Sequence, residues 1–151
     1  MGKNYSEELS KLIDKEVLKN DLLSIVYIND NRTNGKFERV EIDLINLKMR
    51  VVNDESTTIY NISKINKYYL KSYIKKYNLP AWSNLPMGDL LALDMPNKTI
   101  TLYYDNSKIG GTNLDKYVVN LYSRIPKDGL EYIDKLLEYI MSLKKEKKQI
   151  K

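Results

Sequence analysis

Residues 36–52 read KFERVEIDLINLKMRVV, and their spacing decides the fold class. Val40, Ile42 and Leu44 alternate with Arg39, Glu41 and Asp43. A period of two puts apolar side chains on one face of a strand and charges on the other, the pattern of an antiparallel sheet with one wet side. After a short turn at Ile45-Asn46 the pattern resumes in LKMRVV. Upstream, LLSIVYIND (22–30) is a strand by composition, and Asn34-Gly35 supplies a hairpin signal because both turn positions tolerate positive φ. Downstream, STTIYNI (56–62) predicts a fourth strand, giving an antiparallel meander.

Around this meander the sequence predicts helices. Residues 6–19 place Leu9, Leu12, Ile13 and Val17 at helical spacing behind an N-capping Ser6. Ser63 caps a second helix that Pro80 ends, and Pro126 and Asp128 open a third. DLLALD (89–94) and TITLYYD (99–105) read as a second hairpin across a turn at MPNK, and KYVVNLYS (116–123) as a further strand. The expected architecture is a single α+β domain over 1–143, with a mainly antiparallel sheet (meander plus second hairpin) packed with about three helices. A lysine-rich tail, 144–151, follows it.

A chain of 151 residues is long enough to bury its own core without staples. It has no cysteine, no apolar run of membrane-spanning length and no signal-peptide core in its first twenty residues, so the expected location is the cytoplasm. Its richness in Lys, Asn, Ile and Tyr suits an AT-rich genome, such as that of a bacterial mobile element. Base composition does not explain thirteen Tyr against one Phe, however. A preference for rings with a polar tip points to half-buried faces and interfaces.

The net charge of +5 is segregated. Five lysines and no acid lie between Ser56 and Gly88, and five lysines with one glutamate lie in the tail, so the remainder of the chain is mildly acidic. In the helix after Ser63, Lys64, Lys67, Lys71 and Lys75 fall on one stripe, with Tyr68 beside it. Ile65, Leu70, Ile74, Tyr69, Tyr73 and Tyr77 are expected on the core side. Like charges at i,i+4 oppose each other mildly where Glu–Lys pairs would attract. Such a stripe is either a solvated face or a surface kept for an acidic protein or a nucleic acid. The chain's four arginines all lie outside this helix, although arginine is the usual bidentate reader of phosphates and bases.

Two further features carry apolar or aromatic surface. The last helix shows an apolar arc wider than one sheet contact needs, extended by Tyr132 and Tyr139. Such an arc suits either burial under other elements, or a partner or second copy in a homodimer through this helix. Trp82, between Pro80 and Pro86, is either a plug over the core or a binding anchor.

Catalysis has little to stand on. Without His or Cys there is no imidazole base, no thiol nucleophile and no usual zinc site. Asp94 and Asp105 flank the second hairpin and form the one carboxylate pair that geometry suggests, though residues at strand ends are more often turn formers. Asp105, Asn106, Asn113 and Asp115 lack the spacing of an EF-hand loop. No cofactor or metal is expected. These readings favour a non-enzymatic interaction protein, of inhibitor, immunity or adaptor type, that meets an acidic protein through the lysine stripe and through Trp82, Tyr132 and Tyr139. The alternative is a nucleic-acid-binding protein using the same stripe and the tail.

Overall fold

The structure is a computed structural model and describes residues 21–31, 36–84, 97–105, 114–121 and 127–146. The meander appears as β1 (Leu22–Asn31), β2 (Lys36–Asp43), β3 (Lys48–Asn53) and β4 (Thr57–Asn61). Helix α1 (Lys64–Lys76) and a 3-10 turn (Leu79–Asn84) follow, then β5 (Asn97–Asp105), β6 (Leu114–Asn120) and α2 (Lys127–Glu146). The strands form one sheet in the order β4-β3-β2-β1-β5-β6, antiparallel at every junction.

Register follows from the alternation. One row of core-facing side chains crosses the whole sheet as Tyr60, Met49, Ile42, Ile25, Leu102 and Tyr117. A parallel row aligns Val51, Val40, Tyr27, Ile100 and Val119. A one-residue slip in any strand would turn that strand's apolar set to the opposite face, so burial itself fixes the pairing. Leu70 and Ile74 of α1 and Ile133, Leu136, Ile140 and Leu143 of α2 complete this core. Each such aliphatic, fully buried, contributes about 1.5–3 kcal/mol of hydrophobic stabilisation. On the other face Glu41 accepts from both Arg39 (2.9 Å) and Arg50 (3.3 Å), the latter directly opposite it on β3.

The fold is therefore α+β with an antiparallel sheet, but two α-helices stand among the described residues rather than about three. The expected helix at 6–19 and the first strand of the second hairpin (89–94) lie outside those residues. Within the described sheet β5 lies between β1 and β6. Helix α2 continues past the expected boundary at 143, because Lys144 is drawn to the body by Glu38 on β2, with Nζ and Oε2 3.0 Å apart. The rest of the tail beyond Glu146 is outside the described residues.

Candidate functional site

Helix α1 is set in place from both ends. Ser63 Oγ accepts from the Asn66 N–H at 3.0 Å, while Asn66 Oδ1 accepts from the Ser63 N–H at 2.9 Å. This reciprocal capping box satisfies two N–H groups that a helix start otherwise leaves open. At the far end Asn78 adopts φ 48°, a left-handed conformation that Asn tolerates, and its N–H donates to Lys75 O. Lys75 and Lys76 occupy the last turn, where positive charge suits the helix dipole. Lys64 and Lys67 lie at the opposite end, in a first turn without any acid, where the dipole opposes them.

So fixed, α1 presents Lys64, Lys67, Tyr68, Lys71 and Lys75 along one wall of an open groove of about 780 Å³. All five residues of the expected basic stripe are thus brought together in one concavity. The remaining lining includes Leu22, Leu47 and Tyr104, together with Ile45 at 61% exposure. Ile45 stands out because the turn holds it there. Asp43 Oδ1 accepts from the N–H groups of Ile45 (2.9 Å) and Asn46 (3.0 Å), and Leu47 closes the turn at φ 57°. Burial alone would raise the Asp43 carboxyl, but the hydrogen bonds from Asn46 and Ile45 outweigh it and hold it below the ordinary carboxylate range. Among the described residues a single acid, Asp21, lines the groove, and its carboxylate is already paired with Lys71. The wall is cationic and the floor largely apolar.

The helical wheel misplaced two residues. Ile65 is 79% exposed and Tyr69 is also exposed, although both were expected on the core side. The buried positions of α1 are Asn66, Leu70 and Ile74, so the core direction is turned by about a residue from an origin at Ile65. The lysine stripe therefore flanks the core and overhangs the sheet rim, with Lys67 and Lys71 partly buried in the groove wall.

The three aromatic contact candidates take other positions. Trp82 is 2% exposed and belongs to the core, with its ring against Gly129 of α2. It is the plug of the two readings, and it has no surface to offer a partner. Tyr132 and Tyr139 are half-buried in a seam between the helices. Tyr139 stacks on Tyr69 at 4.1 Å, Tyr132 stacks on Tyr77 at 4.1 Å, and Tyr73 lies between at 6.0 Å from Tyr69 and 4.8 Å from Tyr77. Asn66 Nδ2 donates to the Tyr139 hydroxyl at 2.8 Å, and the Tyr73 hydroxyl donates to Tyr132 O at 2.5 Å. Burial, reinforced by the neighbouring phenols of Tyr77, Tyr69 and Tyr132, pushes Tyr73 up to about 12. Five tyrosines thus serve helix–helix packing. Of the wide arc of α2, for which burial, or a partner or second copy, were the two readings, Ile133, Leu136, Ile140 and Leu143 lie in the core and Tyr132 and Tyr139 pack on α1. Among the described side chains of α2 the exposed ones are Leu130 and the mixed charges Glu131, Asp134, Lys135 and Glu138.

No protein-family model, no curated protein and no solved structure matches the chain.

Of the carboxylate pair, Asp94 lies outside the described residues, while Asp105 ends β5 and donates its N–H to Asp21 O at 2.8 Å. Among the described residues no three His, Cys, Asp or Glu side chains gather to hold a metal, and no helix is long and apolar enough to cross a membrane. Sequence reasoning missed Asp21, Leu22, Ile45, Leu47, Ser72 and Tyr104 as groove residues. One signal was available: Ile45 is a large aliphatic inside a turn, where polar residues are the rule.

Proposed function

We propose that the chain is a small non-enzymatic binding module, of inhibitor, immunity or adaptor type, that engages an acidic protein at the groove beside α1. The observation that carries this reading is the pairing of four lysines on one wall with an apolar floor and one already neutralised carboxylate. A cationic wall steers an acidic partner by long-range attraction, and the apolar floor supplies contact area once it arrives. The absence of His and Cys from the sequence supports binding over catalysis. Lysine without arginine suits carboxylates as point charges and is a poor reader of nucleic acid. Arg39 and Arg50 are both engaged by Glu41 on the sheet's other face. A nucleic-acid site remains the alternative, since exposed Tyr68 beside the lysines offers a base-stacking ring.

The test is fluorescence anisotropy across a salt series, with a labelled glutamate-rich peptide and with single- and double-stranded oligonucleotides of matched charge. The comparison protein carries Lys64→Glu, Lys67→Glu, Lys71→Glu and Lys75→Glu together, with Trp82 fluorescence checking that it folds. Peptide binding that the variant loses supports the acidic-protein reading. Tighter oligonucleotide binding, with log affinity falling by about 0.9 per neutralised phosphate for each decade of salt on duplex DNA, replaces it with the alternative. If no ligand binds, both fail.

A further inference from the structure

Resting on that reading, we infer that the groove's occupant is an amphipathic acidic helix of the partner, lying along α1 with its carboxylates on the lysine wall and its aliphatic flank on the floor. Three observations point to a helix rather than an extended segment.

The first is spacing. Along α1 the steps from Lys64 to Lys67, Lys71 and Lys75 are roughly 4.5, 6 and 6 Å, a row of about 16 Å. Carboxylates at i, i+4, i+8 and i+11 of a second helix running antiparallel to α1 repeat these steps in reverse order, so each acid faces one ammonium, the one opposite Lys71 sharing it with Asp21. Antiparallel alignment also sets the two helix dipoles in opposition, the favourable arrangement for neighbours.

The second is the state of the backbone around the groove. An extended peptide binds by adding a strand to open N–H and C=O groups. Here Asp21 O accepts from Asp105 N, Leu23 O from Leu44 N and Leu47 O from Ile62 N, and the backbone of α1 is satisfied within its own helix. A segment entering a groove with an apolar floor, where these backbone groups are already taken, best satisfies its own main chain, which a helix does.

The third is the apolar lining. Ile45 on the turn and Tyr68 on α1 are both highly exposed, while Leu22, Leu47 and Tyr104 lie deeper. An aliphatic stripe adjacent to the acidic one on the partner helix covers this surface. Helix-in-groove recognition anchors such stripes at i, i+3/i+4 and i+7.

The experiment uses the full chain and three labelled synthetic peptides of one composition. The first carries Glu at i, i+4, i+8 and i+11 with Leu on the neighbouring stripe. The second is a scramble that destroys both stripes. The third keeps the order but exchanges two solvent-side Ala for Pro, with the Ala placed at its ends to hold the composition across all three, which carry the same Pro count. The expected result is at least tenfold tighter binding of the first than of either other, with helical circular dichroism gained on binding. Ile45→Glu is expected to abolish that preference, and Ile59→Glu on β4, outside the groove, to leave it unchanged. Equal affinity for all three peptides overturns the helix while leaving the acidic partner standing. A preference that survives Ile45→Glu overturns the groove as the helix site. Binding of no acidic peptide removes the underlying reading as well.

Discussion

Trp82 and Gly129 fit as ring and gap: the indole lies where a side chain on residue 129 would begin. A Cβ at that position would fall against Cη2, and at 2.6 Å and 2.8 Å from Cζ3 and Cζ2. In an ordinary helix Gly→Ala gains up to about 1 kcal/mol. Here Gly129→Ala is expected to destabilise by about 1–3 kcal/mol, the usual cost of overpacking a rigid core ring. Urea denaturation followed by Trp82 fluorescence measures it. With Trp82→Phe in the background, where far-ultraviolet circular dichroism replaces the lost fluorescence of the single tryptophan, the loss caused by Gly129→Ala should shrink, because the clashing atoms belong to the larger ring.

The tyrosine seam makes the fold sensitive to alkali. Tyr73 holds its proton up to about 12 in the folded chain, against an ordinary value near 10. The stability this confers is complete below about pH 10 and is lost as pH rises through about 12, because the unfolded chain releases the proton first. Tyr73→Phe should flatten that alkaline decline in denaturant titrations. At neutral pH the same variant, having lost its hydrogen bond to Tyr132 O, should be less stable by about 1 kcal/mol.

The lysine wall opposes the stability of the helix that carries it. Lys67→Glu removes a repulsion with Lys71 at i,i+4 and creates an attraction in the favourable order, near a helix start that welcomes negative charge. A gain of about 0.5–1 kcal/mol is expected in urea denaturation, together with weaker binding of the acidic peptide. A variant that lost both stability and binding would point to a structural role for Lys67 instead.

The cap of α1 is expected to matter more than its surface. Ser63→Ala should cost about 1 kcal/mol. Asn66→Ala should cost more, since it removes half the capping box and the donor to the Tyr139 hydroxyl together. Thermal melts of the two variants give the order directly, and an equal loss would mean that the Tyr139 bond adds nothing.

Much of this architecture can be read from local pattern. The alternation around Val40 and Ile42 is imposed by burial on one face, so it identifies β2 and, through it, the meander. Ser63 and Pro80 mark the ends of α1 by short-range chemistry. The lysine stripe is legible because all four residues share one helix. The groove's floor is not, since Leu22, Ile45 and Tyr104 come from three separate parts of the sheet and meet only after pairing. The seam was hidden for the same reason: Tyr69 meets Tyr139 across seventy residues of chain, so an internal packing surface resembled an interface. The wheel erred at Ile65 because its aliphatic side chain marks no core direction when the buried face runs through a polar residue, Asn66.

The sheet order has a further consequence, for how the chain is made. The first of the described strands, β1, ends up in the middle, with β2 on one side and β5 on the other. As the chain emerges from the ribosome, β2, β3 and β4 can add in succession through short connections, but β5 begins at Asn97, long after β1 has ended at Asn31. Until then β1 carries an unpaired row of backbone donors and acceptors, the feature that invites wrong pairing at a sheet edge. Closing β1 against β5 is also the most sequence-distant of the strand pairings, and distant pairings are slow to form. The interval between the fourth strand and the fifth is the period when this protein is most exposed to aggregation, and a nascent chain stalled before Asn97 would keep that edge open.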